Sequence, residues 1–120
     1  MYIKIKEPYE QTIHIMKVHH ETEDCYVCEL KKDNSYLSAS KEWVLAKSEN
    51  LEELCDLFID EETKTIFHKH NGYVINWKTN MVYSLKELAK SFHNVKGAIY
   101  TDKGLIYVAK IDNEGKLVLI

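Results

Sequence analysis

A chain of 120 residues with 45% hydrophobic and 29% charged residues has the length of one domain and the composition of a folded one, which excludes disorder and collagen-like order. The formal net charge is −3, and all 16 basic residues are lysine. Without arginine the chain lacks the bidentate group that reads guanine edges and phosphates, so sequence-specific nucleic-acid binding is not expected.

No apolar run approaches the roughly 18 residues of a membrane-spanning helix. The start, MYIKIKEPYE, has no apolar h-region and no small-residue cleavage site. These features predict a single cytoplasmic domain over 1–120 with no membrane contact.

The alternation YIKIK over 2–6 predicts a first strand, ended by Pro8. A second follows over 12–19 and a third over 25–31. A later strand spans 42–47, with a short one before it near Tyr36–Ser38. Runs 64–70 and 73–78 flank Asn71-Gly72, the strongest short-range hairpin signal, because a type I′ turn needs positive φ at both central positions. The last third reads as a meander of strands at 97–101, 105–111 and 116–120. Its Val-Leu-Ile end is too apolar to stand unpaired.

Two short helices interrupt the strands. The first is predicted over 51–59, where Leu51, Leu54, Cys55 and Phe58 fall at i, i+3, i+4 and i+7. The second is predicted over 85–93 on Leu85, Leu88, Ala89 and Phe92, with Ser84 as its cap. Segments 43–58 and 77–92 also match each other weakly, with Trp43 against Trp77 and Phe58 against Phe92, as a faint internal repeat would. The predicted fold is α+β: a mainly antiparallel sheet of about six to eight short strands carrying two amphipathic helices.

Charge is uneven. Residues 1–62 carry seven lysines and 15 carboxylates, a net −8, and residues 63–120 a net +5. Glu49, Glu52, Glu53, Asp56, Asp60, Glu61 and Glu62 crowd one stretch without a lysine. Such a run either forms a solvated helix face or offers negative potential to a basic protein surface. The opposed charges of the two helices also suit self-association into a homo-oligomer.

Chemical motifs are sparse. Cys25 and Cys28 form a Cys-x-x-Cys, and with His19 and His20 they make up four potential zinc ligands. Residues three apart in a strand point to opposite faces, however, so the thiols read as small apolar fillers. No metal or other cofactor is expected. The remaining histidines sit beside no nucleophile or acid that would make a catalytic pair. The four glycines make no phosphate-binding loop. The chain is therefore read as a non-enzyme. Trp43, Trp77 and Tyr83, with lysines of the second half, are the residues that would line a small-molecule pocket.

The segment Lys96–Lys110 (KGAIYTDKGLIYVAK) resembles a stretch of small proteins carried by phages and prophages of low-GC Gram-positive bacteria. Trp43–Ala46 and Leu51–Asp56 are similar to the same group. The resemblance implies a mobile-element origin, in keeping with the lysine-only bias, and carries over no catalytic residue. By analogy with other small phage proteins it implies a binding protein that inhibits a host protein, such as a CRISPR effector of the defence system. The acidic run, Glu49 to Glu62, is the expected contact. A nucleotide-signal sponge and a self-assembling structural protein are the alternatives.

Overall fold

The computed structural model describes residues 1–9, 12–30 and 33–120. Lys31, at the end of the predicted third strand, lies outside them. The chain divides into two compact units, Met1–Leu54 and Cys55–Ile120. Cut there, the first unit carries seven lysines against eleven carboxylates and the second nine against eight. The charge contrast thus falls to −4 and +1.

The first unit is an antiparallel sheet of β1 (Tyr2–Lys6), β2 (Ile13–Glu21), β3 (Cys25–Leu30), β4 (Ser35–Ser40) and β5 (Val44–Ser48), in the order β4-β3-β2-β1-β5. Period-two patterning puts Ile3 and Ile5, Met16, Tyr26 and Cys28, and Ala39 on one buried face. Met1, Val18, Leu30, Leu37, Trp43 and Val44 pack around them. A 3-10 turn, Lys41–Trp43, leads into β5, and the single helical turn α1 (Leu51–Leu54) lies against β5 and β1.

The second unit is a seven-stranded antiparallel sheet. Its strands are β6 (Leu57–Asp60), β7 (Thr65–His70), β8 (Tyr73–Asn76), β9 (Val82–Tyr83), β10 (Val95–Thr101), β11 (Gly104–Ile111) and β12 (Leu117–Leu119). The order is β12-β11-β10-β6-β7-β8-β9, and α2 (Leu85–Ser91) returns the chain from the β9 edge to β10 beside β6. Leu88 on α2 is fully buried. Phe67, Tyr83 and Phe92 meet edge to face, with ring centroids 5.0 to 6.0 Å apart. Asn71 and Gly72 take φ of 48° and 83°, as the predicted hairpin turn requires.

The architecture is mostly antiparallel sheet with two helices, as expected, but the described residues form twelve strands rather than six to eight. The main correction is the first helix. It ends at Leu54, and Leu57–Asp60 is a strand buried on both faces between β10 and β7. Leu57 and Ile59 lie off the helical stripe and are apolar too. Three consecutive apolar residues with aromatic and β-branched members suit a central strand better than a one-sided helix. Asp56 fixes the entry: its N–H donates to the Ala98 carbonyl at 2.8 Å, and its Oδ2 accepts from the Tyr100 N–H at 2.7 Å. The segments 43–58 and 77–92 coincide only where α1 and α2 begin, at Leu51 and Leu85, since Val44–Ser48 is a strand and the matching 78–81 belong to a turn. Further on, Phe58 lies in a strand and Phe92 at a helix end.

Candidate functional site

The acidic run does not form the helix face expected of it. Glu49, Glu52 and Glu53 belong to the first unit and Asp56, Asp60, Glu61 and Glu62 to the second. Asp60 is 1% exposed. Its Oδ2 accepts from the Thr63 N–H (3.0 Å) and hydroxyl (2.6 Å), and its Oδ1 from the Asn94 N–H (3.3 Å). A buried carboxylate survives on such bonds, so Asp60 clamps the β6–β7 turn to the start of β10 with its carboxylate turned away from solvent.

Glu61 is half-buried, ion-paired with Lys96 at 3.1 Å, and accepts from the Asn94 amide at 3.2 Å. Asp56 is occupied by the Tyr100 N–H. Glu49 lies 3.4 Å from the N-terminal amine, and Glu53 accepts from the Ser48 hydroxyl at 2.5 Å. Glu49, Glu53 and Glu62 are exposed and Glu52 partly so.

The aromatics proposed for a small-molecule pocket divide between the two units. Trp43 packs on the core of the first unit, and Tyr83 sits in the aromatic trio of the second. Trp77 faces outward. A depression of about 210 Å³ in the first unit, lined by Glu29, Leu30, Asn34, Ser35 and Tyr36, contains none of the three.

Cys28 lies on the buried face of β3 and Cys25 on the other, as the spacing requires. Burial pushes the Cys28 thiol up. His19 and His20 therefore converge with at most one of the two thiols. Among the described residues no group of three or more His, Cys, Asp or Glu side chains could hold a metal ion. No described helix is long and apolar enough to cross a membrane.

A different surface stands out. On the second unit, β7, β8 and β9 place His68, Ile75 and Val82 in one cross-strand row, with His70 opposite Tyr73. The turn 76–81 follows. The Asn76 side chain, nearly buried, accepts from the Lys78 and Thr79 N–H groups at 3.0 and 3.3 Å. The Asn76 carbonyl accepts from the Asn80 N–H, and the Asn76 N–H donates to the Met81 carbonyl. This turn holds Trp77 with 59% of its surface exposed, its ring edge-on to His68 at 6.4 Å. Met81, Val82 and Tyr73 are each more than half exposed. Val82 and Tyr73 lie on the His68 face of the sheet with Trp77, and Met81 lies beside Tyr83 on the other face, so the turn and the sheet edge expose large apolar side chains of the kind found at contact surfaces. Sequence reasoning named Trp77 for another reason and missed the rest, since strand aromatics occur on buried and exposed faces alike.

No family model, curated protein or solved structure matches the chain.

Proposed function

We propose that the protein works by binding another protein, and that the contact is the β8–β9 edge that exposes Trp77, with Met81 and Val82 flanking it. The exposure of Trp77 carries this reading. Exposed carboxylates cost a folded chain nothing, whereas covering a tryptophan that is 59% exposed releases roughly 3 kcal/mol at about 25 cal/mol per Å². An exposed ion pair contributes about 0–1 kcal/mol. The outward carboxylates Glu52, Glu53 and Glu62 then act at longer range and steer a partner with a basic surface. The resemblance to phage-borne proteins makes that partner a host protein, and inhibition of a defence effector the consequence.

Affinity purification of the tagged chain from a low-GC Gram-positive lysate tests this. The comparison is between wild type, the Trp77→Ala/Met81→Ala variant and the Glu52→Lys/Glu53→Lys/Glu62→Lys variant. One host protein at near-stoichiometric yield, lost on changing Trp77 and Met81, is the expected result. Loss only in the charge-reversed variant moves the contact to the carboxylates. A partnerless wild type overturns the reading.

A further inference from the structure

Two consecutive strand residues ordinarily point to opposite faces of a sheet. His19 and His20 do not. The pairing of β2 with β3 slips between Val18 and His20, so that Val18 faces Cys28 and His20 faces Val27. A bulge of this kind re-aims side chains. Here it brings two imidazoles together: His19 Nδ1 and His20 Nδ1 are 2.8 Å apart, with ring centroids 5.1 Å apart and planes at 77°. Tyr36 on β4 buttresses the pair, its ring edge-on to His19 at 4.7 Å. Two nearby carboxylates are already engaged by lysines, Glu29 by Lys17 at 3.9 Å and Glu21 by Lys41 at 2.6 Å. The imidazole nitrogens are the donors that this pair offers.

We propose that His19 and His20 form a two-nitrogen chelate for a divalent late transition metal of tetragonal preference, copper(II) foremost and nickel(II) next. Metal–imidazole bonds are about 2.0–2.1 Å. Donors 2.8 Å apart then subtend about 86° at the metal, the angle of a square-planar or octahedral edge. A tetrahedral zinc site wants its donors about 3.3 Å apart. On binding, the Nδ1 proton between the rings leaves to solvent and the same ring takes a proton from solvent at Nε2, so that both imidazoles ligate as Nδ1 donors, with water completing the shell. Both rings are exposed, so the small rotations that aim two lone pairs at one ion are open to them.

Titration of the full chain with copper(II) sulfate, followed by electron paramagnetic resonance and calorimetry, tests this. The controls are His19→Gln, His20→Gln and the double variant His68→Gln/His70→Gln. The expected result is one equivalent of copper in a tetragonal signal with nitrogen splitting. Either single variant at position 19 or 20 weakens binding by about tenfold or more, and zinc competes poorly. The variant at 68 and 70 leaves the affinity unchanged. Copper retained undiminished by His19→Gln and His20→Gln, or no saturable binding by wild type, overturns the proposal. Circular dichroism of each variant separates lost binding from lost folding.

Discussion

Gly97 and Cys55 fill a single volume: a Cβ added at Gly97 would lie 2.7 Å from the Cys55 sulfur and 3.4 Å from the Phe58 ring. Both residues are buried, and Gly97 pairs with Phe58 on one side and Ala109 on the other. The strand β10 thus passes over the first residue of its own unit at a distance only glycine permits.

In a strand interior alanine ordinarily outperforms glycine by about 0.5–1 kcal/mol. At this position the overlap reverses the sign. Gly97→Ala destabilises the protein by about 1–3 kcal/mol, the cost of overpacking. Cys55→Ala removes the sulfur and leaves a small cavity, so the double variant is less destabilised than the two singles added together. Urea unfolding of all four proteins measures the coupling. Additive free energies would show that the two groups do not meet.

The three thiols differ in reach. Cys28 and Cys55 are fully buried, and burial raises the Cys28 thiol so that less of it is thiolate at neutral pH. Cys25 lies on the opposite face of β3 and is partly exposed. Native protein treated with a thiol-specific reagent at pH 7.5 is expected to label Cys25 alone in the fast phase, with the other two labelled after denaturation. Peptide mapping reads the order. Fast labelling of Cys28 would place it on the wrong face of the sheet.

The ion pair between Glu21 and Lys41 gives a pH signature. The Lys41 ammonium donates to Glu21 at 2.6 Å and lies 5.4 Å from the centre of the Tyr26 ring. That hydrogen bond, more than the bare charge, holds the Glu21 carboxyl below its ordinary range and raises Lys41 above its own. A depressed carboxyl contributes stability above its unfolded pKa and loses it as pH falls through the folded value. A raised lysine contributes below its unfolded pKa and loses it as pH rises through the folded value. The pair is therefore intact from roughly pH 5 to 10. Carbon-detected titration should give Glu21 a low midpoint that moves up in Lys41→Met. An unmoved midpoint would mean that the pair does not form in solution.

Local signals were legible in the sequence, and distant ones were not. Asn71-Gly72 specifies its turn through its own backbone, and Ser84 caps α2 by accepting from the Glu87 N–H at 3.1 Å. Both follow from residues within four positions. The strand Leu57–Asp60 is fixed instead by pairing with Val95–Ala98, far away in sequence. The helical spacing of Leu51, Leu54, Cys55 and Phe58 masked it, although apolar Leu57 and Ile59 off that stripe were the available signal. The acidic run was legible as composition but not as surface, because it depended on a helix that ends at Leu54. The His19–His20 convergence depends on a register slip against β3, which no spacing announces.

Asn76 is the residue on which the presentation of Trp77 depends. Its side-chain oxygen accepts from the Lys78 and Thr79 N–H groups, and Asn80 completes the turn at a φ of 61°. Asn76→Ala strands those two donors and destabilises the second unit by about 1–3 kcal/mol. Asn76→Asp keeps an oxygen acceptor in the same place and is expected to behave closer to wild type. Hydrogen exchange at the amides of residues 78 and 79 reports the turn directly, and the fluorescence anisotropy of Trp77, read in a Trp43→Phe background, reports its freedom. Faster exchange and a looser Trp77 in Asn76→Ala, largely reversed in Asn76→Asp, are expected. Partner capture should weaken in the same order, because a tryptophan held in place surrenders less entropy on binding than a mobile one. If exchange at 78 and 79 is unchanged in Asn76→Ala, the turn is held by its backbone bonds alone, and the exposure of Trp77 owes nothing to this side chain.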